Sequence, residues 1–264
     1  MDIKEITERL STHSYTTPED IWNMFLSIGN FFAIPNLILR KGTILYRARE
    51  VEDVSEIVNI KNLSYAPPEY NKTYNRASTP DSTMFYAISG DSFQECIYGC
   101  LSETCECFRM SNAEHRHYNV VVGLWETKVD LILPQIINVD GINKSDAFDN
   151  AEEFKECIRP LGKKGNDIIN FWRYMNREFT KNVNHEKEYW VSAIFTKWLS
   201  QRTRRNGVIY ESVQSTDPKV TNNHCVALTP NVADDYLRFK EALLYEFDYN
   251  GMTVNIPNAK KINI

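Results

Sequence analysis

Four short stretches of the chain carry polar side chains where the surrounding pattern is apolar. Arg47 sits inside the strand-like "LYRAR". Arg76 stands in "NRAS", Asn75 to Ser78, just ahead of a strand. "FYAISGDSFQE", residues 85–95, places Tyr86 in a short apolar strand and Glu95 just inside the helix that follows. "GVIYESV" carries Ser212 behind Tyr210 in a later strand. A guanidinium is a planar fork suited to bidentate anion binding. A fixed carboxylate can stabilise developing positive charge or orient an attacking group. A tyrosine offers a ring face and a hydroxyl. Ser212 does not read as a nucleophile, because no motif places a His–Asp pair for it. Each residue also has a plain structural reading: a solvated strand Arg, a core Tyr with a wet tip, a Glu answering the helix N-terminus, an exposed Ser.

A second cluster could hold a metal. Four of the six cysteines, Cys96, Cys100, Cys105 and Cys107, fall in one stretch, and His115 and His117 follow. The C-x3-C-x4-C-x-C spacing lacks the C-x2-C knuckles of zinc ribbons and fingers. On a helix, Cys96 and Cys100 share a face at i, i+4, as small core-filling residues do. The reading is reduced structural cysteines and no metal.

These residues need a scaffold. The chain has 264 residues, of which 42% are hydrophobic and 25% charged, enough for a real core in one domain with an appendage. A net charge of −5 argues against a broad basic face for nucleic acid. The run "RTRR", Arg202 to Arg205, answers a helix end. The opening "MDIKEITERL" has no apolar leader, and stretches such as "YNVVVGLW" are too short to span a bilayer. A cytoplasmic protein is expected, with no membrane partner.

Residues 3–10 read as an amphipathic helix. A second helix starts at Thr17, with Pro18 at its first position and Asp20 completing a capping-box pattern. Strands are expected at "GTILYRARE", "STMFYAIS", "HYNVVVGLWET", "VDLILPQIINV", "NGVIYESV" and "NHCVALTP". A helix capped by Asp91 or Ser92 covers "DSFQECIYGCLSE". Residues 50–75 read as irregular and 144–200 as helical. "VADDYLRFKEALLYEF" reads as a helix running into a strand. Strands and helices mix without regular βαβ alternation, which predicts α+β: a compact mixed or antiparallel β core with flanking helices. A helical extension is expected over 1–40 and the main domain over 41–264. No dinucleotide-binding glycine fingerprint, P-loop, zinc-protease motif or nucleophile elbow is present.

In order, "LYRAR", "APPEY…NRASTPDSTMFYAI", "SFQECIYG", "EYWVSAIFTKWL…NGVIYESVQS" and "NHCVALTP" resemble the RES domain family, named for its Arg, Glu and Ser. The matching pieces span about residues 42 to 230. The resemblance implies a fold similar to ADP-ribosyltransferases. It also implies a toxin that depletes NAD⁺ by cleaving the nicotinamide–ribose bond, by hydrolysis or with phosphate as co-substrate. Protein ADP-ribosylation and an inactive binding module are the alternatives. Carried over by motif position, the functional residues are Arg47, Tyr86, Glu95 and Ser212, with Arg76 and Tyr46 beside them. NAD⁺ is then substrate rather than resident cofactor. An antitoxin protein and a second copy of the chain are the candidate protein partners. The chain departs from the family in having Asn75 before Arg76, where Gly-Arg is common. Its interval from Tyr86 to Glu95 is also shorter than in common members, which makes Glu103 the alternative carboxylate.

Overall fold

The computed structural model describes residues 1–29, 32–80, 82–108, 113–140, 151–212, 223–251 and 259–264. Two helices open the chain, α1 (Ile3–Ser11) and α2 (Pro18–Leu26). The Thr17 hydroxyl accepts from the Asp20 amide, while the Asp20 carboxylate accepts from the Thr17 amide, so α2 begins with the expected capping box. Strands β1 (Asn36–Leu39), β2 (Ile44–Val51) and β3 (Phe85–Ser89) follow, with short 3₁₀ turns between β2 and β3. Helix α3 spans Phe93–Thr104 and is capped by Ser92. After β4 (His117–Thr127) and β5 (Leu131–Ile136) come α4 (Ala151–Ile158), α5 (Lys163–Thr180) and α6 (Trp190–Thr203). The expected helical start at 144–150 lies outside the described residues. The chain closes with β6 (Gly207–Glu211), β7 (His224–Leu228), α7 (Pro230–Tyr236), β8 (Leu237–Asp248) and β9 (Lys260–Ile262).

Among the described residues the strands form one mixed sheet of nine, in the order β1-β5-β6-β7-β3-β2-β4-β8-β9. Only β5 and β6 run parallel; every other neighbouring pair is antiparallel. The fold is therefore α+β, as the irregular alternation of elements predicts. Strand periodicity divides side chains between the two faces. Tyr46, Ile88, Tyr210 and Cys225 join the larger core under the helices. Leu45, Phe85, Ile209 and Val226 join a smaller core on the opposite face.

Residues 1–40 are not purely helical, since β1 lies among them and pairs with β5 as an edge strand. Nor do they form a separate body. Phe25 of α2 is fully buried and packs against Phe171, Phe195 and Trp198 of α5 and α6. Among the described residues, no helix is long and apolar enough to cross a membrane.

The pairing of β2 with β3 is the thin place in this sheet. Only Tyr46 and Ile88 are in register there, whereas β2 pairs with β4 over eight residues and β3 with β7 over five. Beyond Tyr46 and Ile88 the two strands part and expose backbone groups that a continuous ladder would satisfy.

Candidate functional site

A cavity of about 740 Å³ opens where β2 and β3 part. This is within the usual range for small-molecule sites. The helix-side face of the sheet contributes Tyr46, Tyr86, Ile88, Tyr210 and Cys225. Helix α3 gives Cys100, Glu103 and Thr104. Asn75 and Arg76 form one rim, and the segment from Thr180 to Tyr189 forms the far wall.

Strand alternation puts Arg47 with Leu45, on the face away from the helices. It is nonetheless among the residues that line the cavity. Its Nη1 donates to the Tyr86 carbonyl of β3 and its Nε to the Ser64 carbonyl, each at 2.8 Å. The guanidinium thus satisfies a β3 carbonyl beside the strand parting. It also lies over the Phe85 ring, 5.5 Å from the centroid. Burial lowers its pKa to about 10, so the group remains cationic at neutral pH.

Arg76 occupies the tip of a turn closed by Asn75 and Ser78. Its Nη1 donates to the Phe179 carbonyl at 2.6 Å and its Nη2 to the Lys181 carbonyl at 3.2 Å. A cation at the carbonyl end of α5 is favoured by the helix dipole as well as by these bonds. Arg47 and Arg76 both line the cavity, and among the described residues neither is paired with a carboxylate. Two guanidiniums whose partners are neutral carbonyls make an anion-binding environment.

Tyr86 is half-buried in the floor. Its hydroxyl donates to Ser78 Oγ and accepts from the Ala77 amide, each at 3.1 Å. With the hydroxyl engaged in both senses, its offering to the cavity is the ring. Burial raises its pKa to about 12. Tyr46 sits beside it on β2, against the Phe93 ring, with its pKa also raised to about 12 by burial.

Among the described residues, the carboxylate that lines the cavity is Glu103, from the last turn of α3. Glu95 does not line the cavity. It stands in the first turn of α3, where the Ser92 hydroxyl accepts from its amide, and its own carbonyl accepts from the Asn223 side chain. Eight residues of helix separate the two acids, about 12 Å along the axis at 1.5 Å per residue. Ser212 does not line the cavity either. It is fully buried behind it and donates to Glu103 Oε1 at 2.7 Å. The structure therefore gathers Arg47, Arg76, Tyr46 and Tyr86 around one space. It links Ser212 to that space through Glu103 and leaves Glu95 outside.

Sequence reasoning did not single out Asn182 and Asn184, which lie in a polar connection with no motif, and it gave no role to Tyr189 within "EYWVSAIFTKWL". The sequence reading makes Cys100 a packing residue and assigns nothing to Cys225. Cys100 donates to the Tyr46 carbonyl at 3.1 Å, tying α3 to β2, and Cys225 contacts Glu103 Oε1 at 3.8 Å. Burial pushes both thiols well up. Cys96 contacts Asn223, while His117 pairs with Asp248 and His115 packs on Tyr249. The stretch that could have held a metal is spread over separate contacts. Among the described residues no group of three or more His, Cys, Asp or Glu is placed to hold one.

No protein-family model and no curated protein matches the chain.

Proposed function

We propose that the chain is an NAD⁺-consuming enzyme of the RES type, with an ADP-ribosyltransferase-like active site, that cleaves the nicotinamide–ribose bond. One observation carries the reading. Among the described residues, one cavity joins two cationic forks without carboxylate partners, an aromatic floor and one carboxylate, a set suited to a dinucleotide with a scissile glycosidic bond.

Arg47 and Arg76 hold the pyrophosphate. Tyr86 presents its ring to the nicotinamide. As the bond between C1′ and the pyridinium nitrogen breaks, its electron pair neutralises the leaving nicotinamide. Positive charge then develops on the ribose. Glu103 stabilises that charge and orients the incoming water or phosphate, taking its proton as the new C1′–O bond forms. Ser212 supports Glu103 from behind and does not touch substrate. Under this reading Glu95 belongs to the start of α3, and the alternative carboxylate does the chemistry. A toxic effect through NAD⁺ depletion in the cytoplasm, and control by an antitoxin protein, belong to the same proposal.

The test is to incubate the purified full chain with NAD⁺ and follow free nicotinamide with and without phosphate. Release that rises with phosphate identifies phosphorolysis; release indifferent to phosphate identifies hydrolysis. Labelled ADP-ribose on a protein supports transfer instead. A folded sample that releases no nicotinamide under any condition overturns the reading.

A further inference from the structure

Exposure grades along the cavity. Tyr210 and Cys225 are buried against the sheet, whereas Asn182 and Asn184 are exposed at the mouth, with Arg76 and Tyr189 between them. Tyr189 ends the short 3₁₀ turn Glu186–Tyr189 that leads into α6. The Arg76 guanidinium lies over its ring, 5.3 Å from the centroid. This is within the range of a cation–π contact. A second contact joins the same two segments: the rings of Tyr74, two residues before Arg76, and of Trp190, one after Tyr189, pack 6.1 Å apart. Arg76 is itself anchored on the Phe179 and Lys181 carbonyls.

Tyr189 is thus a partly exposed aromatic ring held at a binding mouth before any ligand arrives. A ring immobilised in advance loses little entropy when a second ring stacks on it. The amides of Asn182 and Asn184, on the same wall, each carry an acceptor and two donors, the groups that read the edge of a heteroaromatic base.

We infer that Tyr189, backed by Arg76, is the stacking platform for the purine base at the far end of the substrate. The two arginines hold the phosphates between that base and the scissile bond. The platform rests on the NAD⁺-cleaving reading of the same cavity and assigns the adenosine half, which that reading leaves open.

The experiment compares the full chain with Tyr189→Ala and Tyr189→Phe. Calorimetry measures binding of ADP-ribose and of ribose 5-phosphate, which has a phosphate but no base. Kinetics compare NAD⁺ with nicotinamide mononucleotide, which lacks the adenosine and one phosphate, in wild type and variant alike. Stacking of a base on an aromatic side chain corresponds to about tenfold or more in affinity. Tyr189→Ala is expected to weaken ADP-ribose binding by about that factor, to leave ribose 5-phosphate unchanged, and to shrink the preference for NAD⁺ over the mononucleotide equally. Tyr189→Phe keeps wild-type behaviour. If Tyr189→Ala binds ADP-ribose like the wild type while NAD⁺ is still cleaved, the platform is overturned and the enzymatic reading stands. Equal loss of both ligands in Tyr189→Ala also overturns it, since the ring would then only support the wall. If the wild type binds ADP-ribose through Tyr189 but releases no nicotinamide, the platform stands and the enzymatic reading falls.

Discussion

The Ser212 hydroxyl, at the end of β6, donates across 2.7 Å to Oε1 of Glu103 in the last turn of α3. This bond joins the end of a strand behind the cavity to the helix that lines it, and it fixes the carboxylate that the cavity contains. A hydrogen bond to a charged group contributes about 1.5–3 kcal/mol. Ser212→Ala is expected to destabilise the fold by about that amount in urea unfolding and to slow nicotinamide release about tenfold. The Michaelis constant for NAD⁺ should change little, because Ser212 lies behind the cavity wall.

Glu103→Gln separates the two acids of α3. It removes the charge from the cavity while keeping shape and hydrogen bonding. Nicotinamide release is expected to fall about a hundredfold or more. Glu95→Gln, in the first turn and outside the cavity, is expected to stay within about threefold of wild type, at a stability cost of about 0.3–1 kcal/mol from the helix dipole. Steady-state assays on samples with matched circular dichroism decide the matter. Full activity in Glu103→Gln reverses the assignment.

Tyr86→Phe tests whether the ring or the hydroxyl matters. The hydroxyl is occupied by Ser78 and the Ala77 amide. Its loss leaves that amide unpaired and is expected to cost about 1–3 kcal/mol of stability, with turnover nearly unchanged. The pH dependence has a defined sign. Burial raises the folded-state pKa from 10.0 to about 12. The folded protein therefore keeps a proton that the unfolded chain releases between these values. The stabilising contribution is complete below pH 10 and is lost as pH rises towards 12. The difference in urea midpoint between wild type and Tyr86→Phe should be constant up to about pH 10 and shrink above it.

Phe25→Ala tests the integration of the N-terminal helices. Phe25 is fully buried against Phe171, Phe195 and Trp198. Its truncation is expected to cost about 3–5 kcal/mol in a single cooperative transition. An unchanged midpoint for the α5–α6 core would show that residues 1–29 fold independently.

The elements were legible because local signals carried them. Thr17, Pro18 and Asp20 announce α2, Ser92 announces α3, and alternation in "ILYRAREV" and "GVIYE" places their side chains on two faces. Edge strands β1 and β9 were missed. Four and three residues are too few for a periodic signal, and their pairing partners are distant in sequence. The site was legible in its residue types more than in its geometry. Arg47 and Tyr86 fall on strands whose pattern fixes their positions, whereas Arg76 stands in the turn closed by Asn75 and Ser78. Which acid of α3 faces the cavity depends on how the helix lies across β2, and the Cys100 contact with the Tyr46 carbonyl sets that. The wall residues from Thr180 to Asn184 arrive through long-range packing and carry no pattern, and Tyr189 lies in a matching piece that gives it no role.

The single residue pair joining β2 to β3 has a mechanical meaning. It divides nine strands into a leaf of five and a leaf of four, hinged at Tyr46 and Ile88. Arg47 is the rivet beside that hinge: it is carried by one leaf and fastened to the Tyr86 carbonyl of the other. Anything that spreads the leaves widens the cavity first, so the aperture of the site and the rigidity of the sheet are one property.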